Sequence, residues 1–267
     1  MNGLALYRRY IGVSFRGQMQ YPAAFLMTTA GQFLVNITEF IGIWALFRRF
    51  GGLHGWRLGE VAMFYGTVSI AFSISDMLTR GFDVFGEQFV RTGAFDRILL
   101  RPRSAVLQLM GHEFRLSRLG RLAQGAVVMA YGAWTLPLHW TPAGAAVLAF
   151  AICGAVALFI GLLILQATLS FWTVESLEVA NTLTYGGVDA GQYPLDIYAR
   201  WFRTFLTLVV PLGCVVYLPV AFVLGRVQQT GAPVWLPPVA PVAGLVFLAV
   251  SIVAWRFGMR HYASTGS

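Results

Sequence analysis

The feature of this sequence that most restricts its fold is a run of 31 residues, Ala143 to Thr173, that contains no charged side chain. An α-helix rises 1.5 Å per residue, so about 20 apolar residues cross the roughly 30 Å hydrocarbon layer of a bilayer. The composition fits that environment: 57% of the residues are hydrophobic and 11% are charged, against roughly 25% charged in soluble domains. The run therefore predicts a transmembrane helix in an integral membrane protein.

Five further apolar stretches are long enough to cross a bilayer, and together they predict an all-α membrane protein with six transmembrane helices in a single domain over residues 1–267. We place the spans at 22–47, 60–79, 114–136, 143–173, 200–224 and 236–257. Nothing in the first 20 residues has the form of a cleavable signal peptide, so we expect the first span to remain in the mature protein.

An amphipathic segment precedes the first span. Leu4, Tyr7, Ile11 and Phe15 share one helical face, and the opposite face carries Arg9, Arg16 and Gln20. This pattern predicts an interfacial helix over residues 1–21 that lies at the headgroup boundary. A plain leader to the first span is the alternative.

The basic residues predict the orientation. All 19 are Arg, and with the N-terminus inside fifteen of them fall on the inner side, including Arg200 and Arg203. The outer side keeps four: Arg48, Arg49, Arg57 and Arg226. By the positive-inside rule both termini are cytoplasmic. The net charge of +8 is thereby explained without nucleic acid. The arginines in the first turns of the third and fifth spans are expected to snorkel to the interface.

The sequence lacks the parts of several kinds of enzyme. A Walker A loop needs a Lys, and the chain has none, so any P-loop ATPase must be a separate protein. His54, His112, His139 and His261 fall in loops or at span ends, and Cys153 and Cys214 read as small apolar residues. No HExxH, GxSxG or paired-carboxylate pattern is present. We therefore expect no catalytic residue, metal or prosthetic group in this chain.

Few polar residues lie inside the predicted spans. Asn36 and Glu39 are in the first, where an ionisable group is a functional candidate by default. The favoured alternative places Glu39 near the outer end, paired with Arg48, Arg49 or water. Asp76 and Arg80 are four residues apart and predict an ordinary helical ion pair.

Prolines interrupt the end of the fifth stretch and the residues after it, at 211, 219, 233, 237, 238 and 241. Proline inside a helix removes a backbone hydrogen bond and kinks the chain. A broken helix is tolerated at membrane depth where it is covered by protein or lines water. Residues 211–235 are therefore predicted to form a re-entrant outer element before the last span.

The cytoplasmic connection 80–113 is the most informative segment. Phe82, Phe85 and Phe89 recur on one face of a predicted short helix, with Asp83 and Glu87 on another. Such a helix suits docking into a groove on a soluble partner. A lipid-facing interfacial helix is the alternative, since Arg91 and the arginines that follow it could bind anionic headgroups equally well.

Two motifs carry a resemblance to a known family. The segment 91–103, RTGAFDRILLRPR, resembles the pattern G-x-hydrophobic-D-x-x-L-x-R-P that follows the second span of ABC-2-type exporter permeases. The run YPLDIY at 193–198, then Trp201-Phe202-Arg203, Pro211 and Tyr217-Leu218-Pro219, is similar to the family's elements at its fifth span. The best fit is a bacterial subgroup of viologen-exporter-like permeases, once described as a domain of unknown function.

The resemblance implies an interfacial N-terminal helix, a coupling helix between spans two and three and a re-entrant element before span six, in a bacterial inner membrane. It also implies two ABC ATPase subunits, which hold the ATP and Mg, and a second permease that is identical or related to this chain, all among membrane lipids. The coupling residues would be Phe82, Asp83, Phe85, Glu87, Phe89 and Arg91. Some relatives are associated with efflux of cationic or toxic compounds, and that substrate does not carry over to this chain.

A path between the two permeases is expected along the first, second and fifth spans. The candidates for its lining are Phe33, Asn36, Phe40, Tyr65 and Phe72, and ordinary helix packing is the alternative for each. Two other functions stay open: an ion-coupled carrier or channel, which would show more buried charge and an inverted repeat, and a membrane enzyme or scaffold that works without an ATPase.

Overall fold

The structure is a computed structural model that describes residues 3–138, 140–172 and 177–262. Within those residues the chain is helical and has no strand. The predicted end of the fourth span at Thr173, the ring of His139 and the side chain of Leu4 lie outside the described part.

Thirteen α-helices follow one another along the described chain. The first half contains α1 (Gly3–Met19), α2 (Pro22–Phe50), α3 (Leu58–Asp83), α4 (Ala94–Leu99), α5 (Ala105–Met110) and α6 (Leu119–Thr135). The second half contains α7 (Pro142–Leu169), α8 (Leu177–Gly191), α9 (Arg200–Leu208), α10 (Leu218–Val223), α11 (Val227–Thr230), α12 (Leu236–Val239) and α13 (Val242–Met259). Short π-helical turns at Gly86–Val90 and Gly213–Tyr217 extend α3 and precede α10.

The centre of the bundle is α3. Its residues from Gly59 to Ser73 are all buried, because α6 packs along one side of it and α7 along another. The other long helices depend on these three: α2 packs mainly on α6, and α13 packs on α7. Much of the surface of α2 and α13 stays exposed, with large apolar side chains such as Leu26, Met27 and Val253 on it.

Small residues permit the closest helix contacts. On α3, a Cβ at Gly66 would lie 2.8 Å from the carbonyl oxygen of Gly125 on α6. A Cβ at Gly132 would lie 2.6 Å from the carbonyl oxygen of Gly59. Both glycine pairs are seven residues apart on their helices, so the same faces meet twice along the crossing. Close approach through glycine is how helices gain packing contacts where surrounding lipid offers no hydrophobic driving force.

Four helices in the described chain are long and apolar enough to cross a membrane: those that begin at Pro22, Leu58, Pro142 and Leu236. A fifth exists only if α9 and the helix from Gly213 to Val223 count as one span, and these two meet at 84°. A helix also occupies the third predicted place, since α6 covers Leu119–Thr135, but its 17 residues are short for a span.

The two halves of this bent pair form a hairpin, residues 200–223, that begins and ends at one end of the bundle. Just before it, Asp196 accepts a hydrogen bond from Trp56 Nε1 at 2.9 Å. Just after it, Arg226 lies 4.6 Å from the centre of the same Trp56 ring and pairs with Glu60 at 2.6 Å. The hairpin tip reaches the middle of the bundle, where Leu212 lies against Gly191.

The predicted fifth span over 200–224 is not a straight helix, because the chain bends by 84° between α9 and the helix that follows it. The helix that precedes the hairpin is α8, which runs from the Asp83 end of α3 to mid-height. Tyr185 on it donates to Asp83 at 3.3 Å, near the other end of α3, and Gly191 lies beside Val68 at mid-height. The predicted re-entrant element, 211–235, overlaps the second half of this bent segment, 200–223. Arg200 and Arg203, which were counted on the predicted inner side, lie toward the Trp56 end of the bundle. The count then becomes thirteen Arg on the predicted inner side and six on the other.

The N-terminal amphipathic helix packs across the Asp83 end of the bundle. Its Tyr7 donates to the carbonyl oxygen of Leu78 at 3.2 Å, and its Gln18 side chain accepts from the backbone N–H of Leu116 at 3.0 Å. Burial raises the pKa of the Tyr7 phenol, so it keeps its proton and stays a donor at neutral pH. Arg9, Arg16 and Gln20 are exposed as the pattern predicts, and Phe15 is exposed as well.

Gly66→Val tests the close contact of α3 with α6. The added side chain would overlap Met129 and Gly125, so we expect stability to fall by about 1–3 kcal/mol. Unfolding of the purified protein in detergent micelles measures the change. Gly42→Val on α2 is the matched control, since a Cβ there meets nothing within 4 Å. Equal stability of the two variants would contradict the packing.

Candidate functional site

The predicted coupling helix is not a separate helix but the continuation of α3. The backbone stays helical from Leu58 to Val90 apart from a kink at Thr79, where φ is −130°. The Thr79 hydroxyl donates to the carbonyl oxygen of Ser75 at 2.6 Å and so supports the kink. The helix ends before Gly93, which has φ +67°. The segment and α3 therefore form one continuous, kinked helix.

The aromatic face of this segment points into the chain itself. Phe82, Phe85 and Phe89 are 1%, 0% and 6% exposed. The Phe85 ring lies 5.0 Å from the ring of Trp255 on α13 and 4.9 Å from that of Phe95 on α4. The prediction that these three rings face a partner is thus corrected: Phe82 and Phe85 fix the segment to α13 through Trp255, and Phe89 packs on Phe85 and His112.

The exposed side of the same segment offers the docking residues instead. Of the six predicted coupling residues, Glu87 and Arg91 are exposed, while Asp83 is largely buried beside Arg80. Beyond Gly93, the end of α4 and the turn before α5 form an exposed tip, residues 97–104. Leu100 at the tip is 83% exposed and Leu99 is 47% exposed, and the arginines at 97, 101 and 103 surround them.

The five predicted path-lining residues fall on the contacts between α2, α3 and their neighbours. Tyr65 is fully buried, donates to the carbonyl oxygen of Asn36 at 3.1 Å and packs on Phe40 with ring centres 5.4 Å apart. Phe72 is 1% exposed and packs on Phe159. Phe33 is half-buried. In this conformation the set contributes to helix packing, so its part in a path stays a prediction.

A buried network of charges lies where α2, α3 and α6 meet. Asp76 is 2% exposed, and its carboxylate lies 2.5 Å from Arg118 Nε on the turn that leads into α6. Arg118 also donates to Gln32 on α2 at 3.0 Å. The predicted pair of Asp76 with Arg80 is confirmed at 3.8 Å, and Arg80 also pairs with Asp83.

The network continues into α7 and α8 and so fixes α8 to the bundle. Asp83 accepts from Tyr185 of α8 at 3.3 Å. Gln166 of α7 donates to Asn181 at 2.7 Å and accepts from Thr184 at 3.0 Å. Polar contacts thus join α2, α3, α7, α8 and the turn that leads into α6. Because truncating one member leaves the others buried and unpaired, such a network strongly favours one arrangement.

Glu39 has a different partner from the one expected. It accepts from the Tyr65 hydroxyl at 3.3 Å and interacts electrostatically with Arg121, whereas pairing with Arg48, Arg49 or water was predicted. Arg121 in turn interacts with Asp189 of α8 and lies 4.9 Å from the ring centre of Phe72. Glu39 and Asp189 are both exposed, so two carboxylates line the open face between α2 and α8.

Sequence reasoning missed Arg118, Arg121, Gln166 and α8. The arginines were expected to snorkel to the interface, but they point inward, toward Asp76 and Phe72. Their spacing of three residues does put them on one helical face, and the Asp76, Arg80, Asp83 series lies on another helix at a similar depth. Carboxylates on one predicted span and arginines at a similar depth on another were therefore the signal in the sequence that could have predicted an ion pair between the two helices.

No group of His, Cys, Asp and Glu that could hold a metal ion occurs among the residues the structure describes. His54 and His112 lie in separate connections, and His261 follows the end of α13. Cys153 and Cys214 are both free thiols. The described residues form an exposed surface around Leu100 and a buried network of charged side chains around Asp76.

A comparison with protein families gives one match. The model of a family described as "ABC-2 family transporter protein" matches residues 33–266, which leaves out α1 and the first third of α2. No curated protein sequence and no solved structure matches the chain.

Asp76→Leu tests the ion network. Arg118 would keep its buried charge without its partner, so we expect a loss of about 3–5 kcal/mol in unfolding experiments in detergent. The double variant Asp76→Leu with Arg118→Leu should recover much of that loss. Glu113→Leu is the matched control, because its pair with Arg115 is well exposed and should be worth under about 1 kcal/mol. Similar losses for Asp76→Leu and Glu113→Leu would refute the buried network.

Proposed function

The chain belongs to the ABC-2 family of transporter proteins, and we propose that it forms one half of the translocation path of an ATP-driven exporter. It is a multi-pass membrane permease of an ABC transporter, and the family associates with ABC ATPase subunits. The finer proposals are export, a second permease, the membrane topology and the surface that the ATPase contacts.

The observation that carries the proposal is the way the segment after α3 is attached. Its aromatic face is packed against α13 through Phe85 and Trp255, and its backbone continues α3. Its other side and the tip at 97–104 are exposed, with Leu100 projecting. An exposed apolar residue ringed by arginines, on a segment rigidly joined to two long helices, suits a docking element that transmits motion.

The mechanism follows from that attachment. Two separate ATPase subunits bind ATP and Mg, and their closure pushes on the tip and on Glu87 and Arg91. Because α3 and α13 are packed to this segment, they rotate with it as rigid elements. Rotation of α3, together with α7 that packs on it, relative to α8 strains the contacts of Asp83 with Tyr185 and of Gln166 with Asn181. Their rearrangement frees α8 and opens the path.

The path itself is proposed along the face between α2 and α8, closed on its far side by the second permease, which is identical or related. Glu39, Asp189 and Tyr185 are exposed on that face. Phe33, Asn36, Phe40, Tyr65 and Phe72 line the path only after the helices separate. No residue of this chain is proposed to act as a catalyst, since ATP hydrolysis belongs to the partner.

The topology we propose has six crossings, made by α2, α3, α6, α7, α8 and α13. The hairpin 200–223 enters from the outer face and returns to it. Both termini are then cytoplasmic in a bacterial inner membrane, with α1 at the inner headgroup boundary. The contacts of Asp196 and Arg226 with one side chain, Trp56, support this arrangement.

Leu100→Asp tests the docking surface. Losing an apolar anchor from an interface should reduce the ABC ATPase retained per chain during purification by about tenfold. Val234→Asp is the matched control: it is 67% exposed on the opposite end and should retain the ATPase.

Phe85→Ala gives the contrasting result, since its ring is buried in this chain. We expect it to lower the stability of the permease alone by about 3–5 kcal/mol. A different result would contradict this docking surface: Phe85→Ala releases the ATPase from a fully stable permease, and Leu100→Asp retains it. The ATPase would then dock on the face of Phe82, Phe85 and Phe89 that the sequence predicted.

Ala199→Cys tests the re-entrant hairpin. In a background with Cys153→Ala and Cys214→Ala, we expect a membrane-impermeant maleimide to label this cysteine from outside intact cells. Val234→Cys serves as the outer reference and Ser104→Cys as the inner one, since all three positions are exposed. Labelling that requires opened cells, as at Ser104→Cys, would restore the straight fifth span.

A further inference from the structure

An apolar groove of about 430 Å³ lies beneath the hairpin tip, between α7, α8, α9 and α13. Its walls include Leu165 and Trp172 from α7 and the turn after it, Phe205 and Val209 from α9, and Phe257 from α13. Its volume falls in the range of roughly 300–1,000 Å³ typical of small-molecule sites. The network and the coupling mechanism do not account for it.

The groove opens sideways from the bundle. Trp172, Val209 and Phe257 are 49%, 58% and 57% exposed, although all three line it. The helices on either side, α7 and α13, are among the candidate membrane spans. The opening therefore faces the hydrocarbon of the bilayer rather than water.

The polar side chains that line the groove need no hydrogen-bond partner from a bound molecule. No charged residue lines it, and its three polar side chains are already satisfied within the protein. Thr184 donates to Gln166, whose own amide donates to Asn181. Thr168 donates to the carbonyl oxygen of Ile164 at 2.6 Å. An occupant gains nothing by presenting hydrogen-bonding groups here, so an alkyl chain fits better than a polar solute.

One end of the groove is lined by aromatic rings and lies close to cationic side chains. The rings of Trp172 and Phe257 stack with centres 6.4 Å apart, and the His261 ring lies 4.5 Å from that of Phe257. Arg260 is exposed beside them, and Arg256 is exposed one turn earlier on α13. Tryptophan with adjacent cationic side chains is the pattern found at the headgroup level of a membrane.

We propose that this groove binds one acyl chain of an anionic phospholipid, with the headgroup phosphate held at Arg260 and His261. The chain extends from the aromatic end toward the hairpin tip at Val209. The lipid then lies against Gln166 and Thr184, the residues that attach α8 to α7. Lipid binding at this site requires only that the chain lies in a bilayer. The proposal can therefore be tested independently of the ATPase and of export.

The acyl site is tested with a phosphatidylglycerol that carries a diazirine near the end of one chain. The intact protein is placed in nanodiscs that contain this lipid, irradiated, and mapped by mass spectrometry of its peptides. We expect labelling to centre on the groove around Val209 and Leu165. Ala254→Trp fills the groove and should reduce that labelling about tenfold.

Ala249→Trp is the matched control, because Ala249 is exposed on the same helix and does not line the groove. It should label like the unmodified chain. If Ala254→Trp fails to fold, Leu165→Phe fills the same space from α7. Undiminished labelling in a folded groove-filling variant, or labelling spread evenly over the exposed faces of α2 and α13, overturns the acyl site.

The headgroup end is tested with Arg260→Gln combined with His261→Gln. Labelling from phosphatidylglycerol is compared with labelling from a phosphatidylcholine that carries the same diazirine chain. We expect the unmodified protein to prefer the anionic lipid and the double variant to lose about fivefold of that preference while its groove is still labelled. An equal preference in both proteins overturns the anionic headgroup.

Discussion

The close packing of α3 with α6 and α7 is the constraint on which the rest of the structure depends. Glycines at 59, 66, 125 and 132 bring two backbones to within contact distance, and this leaves α3 buried along most of its length. A helix held so tightly cannot bend independently of its neighbours. Since α3 also continues into the segment at 86–90, we propose that a push on that segment moves the centre of the bundle as one piece.

The buried charges give this rigid centre one preferred arrangement. Asp76 and Asp83 on α3 reach Arg118, Tyr185 and Gln166 on three other elements. The side-chain contact from α3 to α8 is a hydrogen bond, from Tyr185 to Asp83, whereas α3 makes a direct ion pair with Arg118 before α6, so α8 is the easier of the two to detach from α3. The same helix borders the open face with Glu39 and Asp189, where we propose the path.

Much of the architecture was predictable because hydrophobic length is a strong signal. The helices α2, α3, α6, α7 and α13 lie where the apolar runs predicted them, and the family motifs at 91–103 identified the right class of protein. The fifth crossing that we propose, by α8, was not predictable in this way. Glu178 and Asp189 make α8 look unlike a span, and the more apolar residues 200–224 looked more like one. The burial of Phe82, Phe85 and Phe89 was missed because a periodic aromatic face does not reveal which partner it meets, here Trp255.

The most direct test of the account is to purify the chain from its native membrane in mild detergent and to identify and count the proteins that remain bound. The account predicts an ABC ATPase subunit in near-equal copy number to the permeases, with a second six-span permease or a second copy of this chain. Recovery of the chain alone, or with lipid only, would contradict it, because the exposed tip at Leu100 would then have no protein to dock.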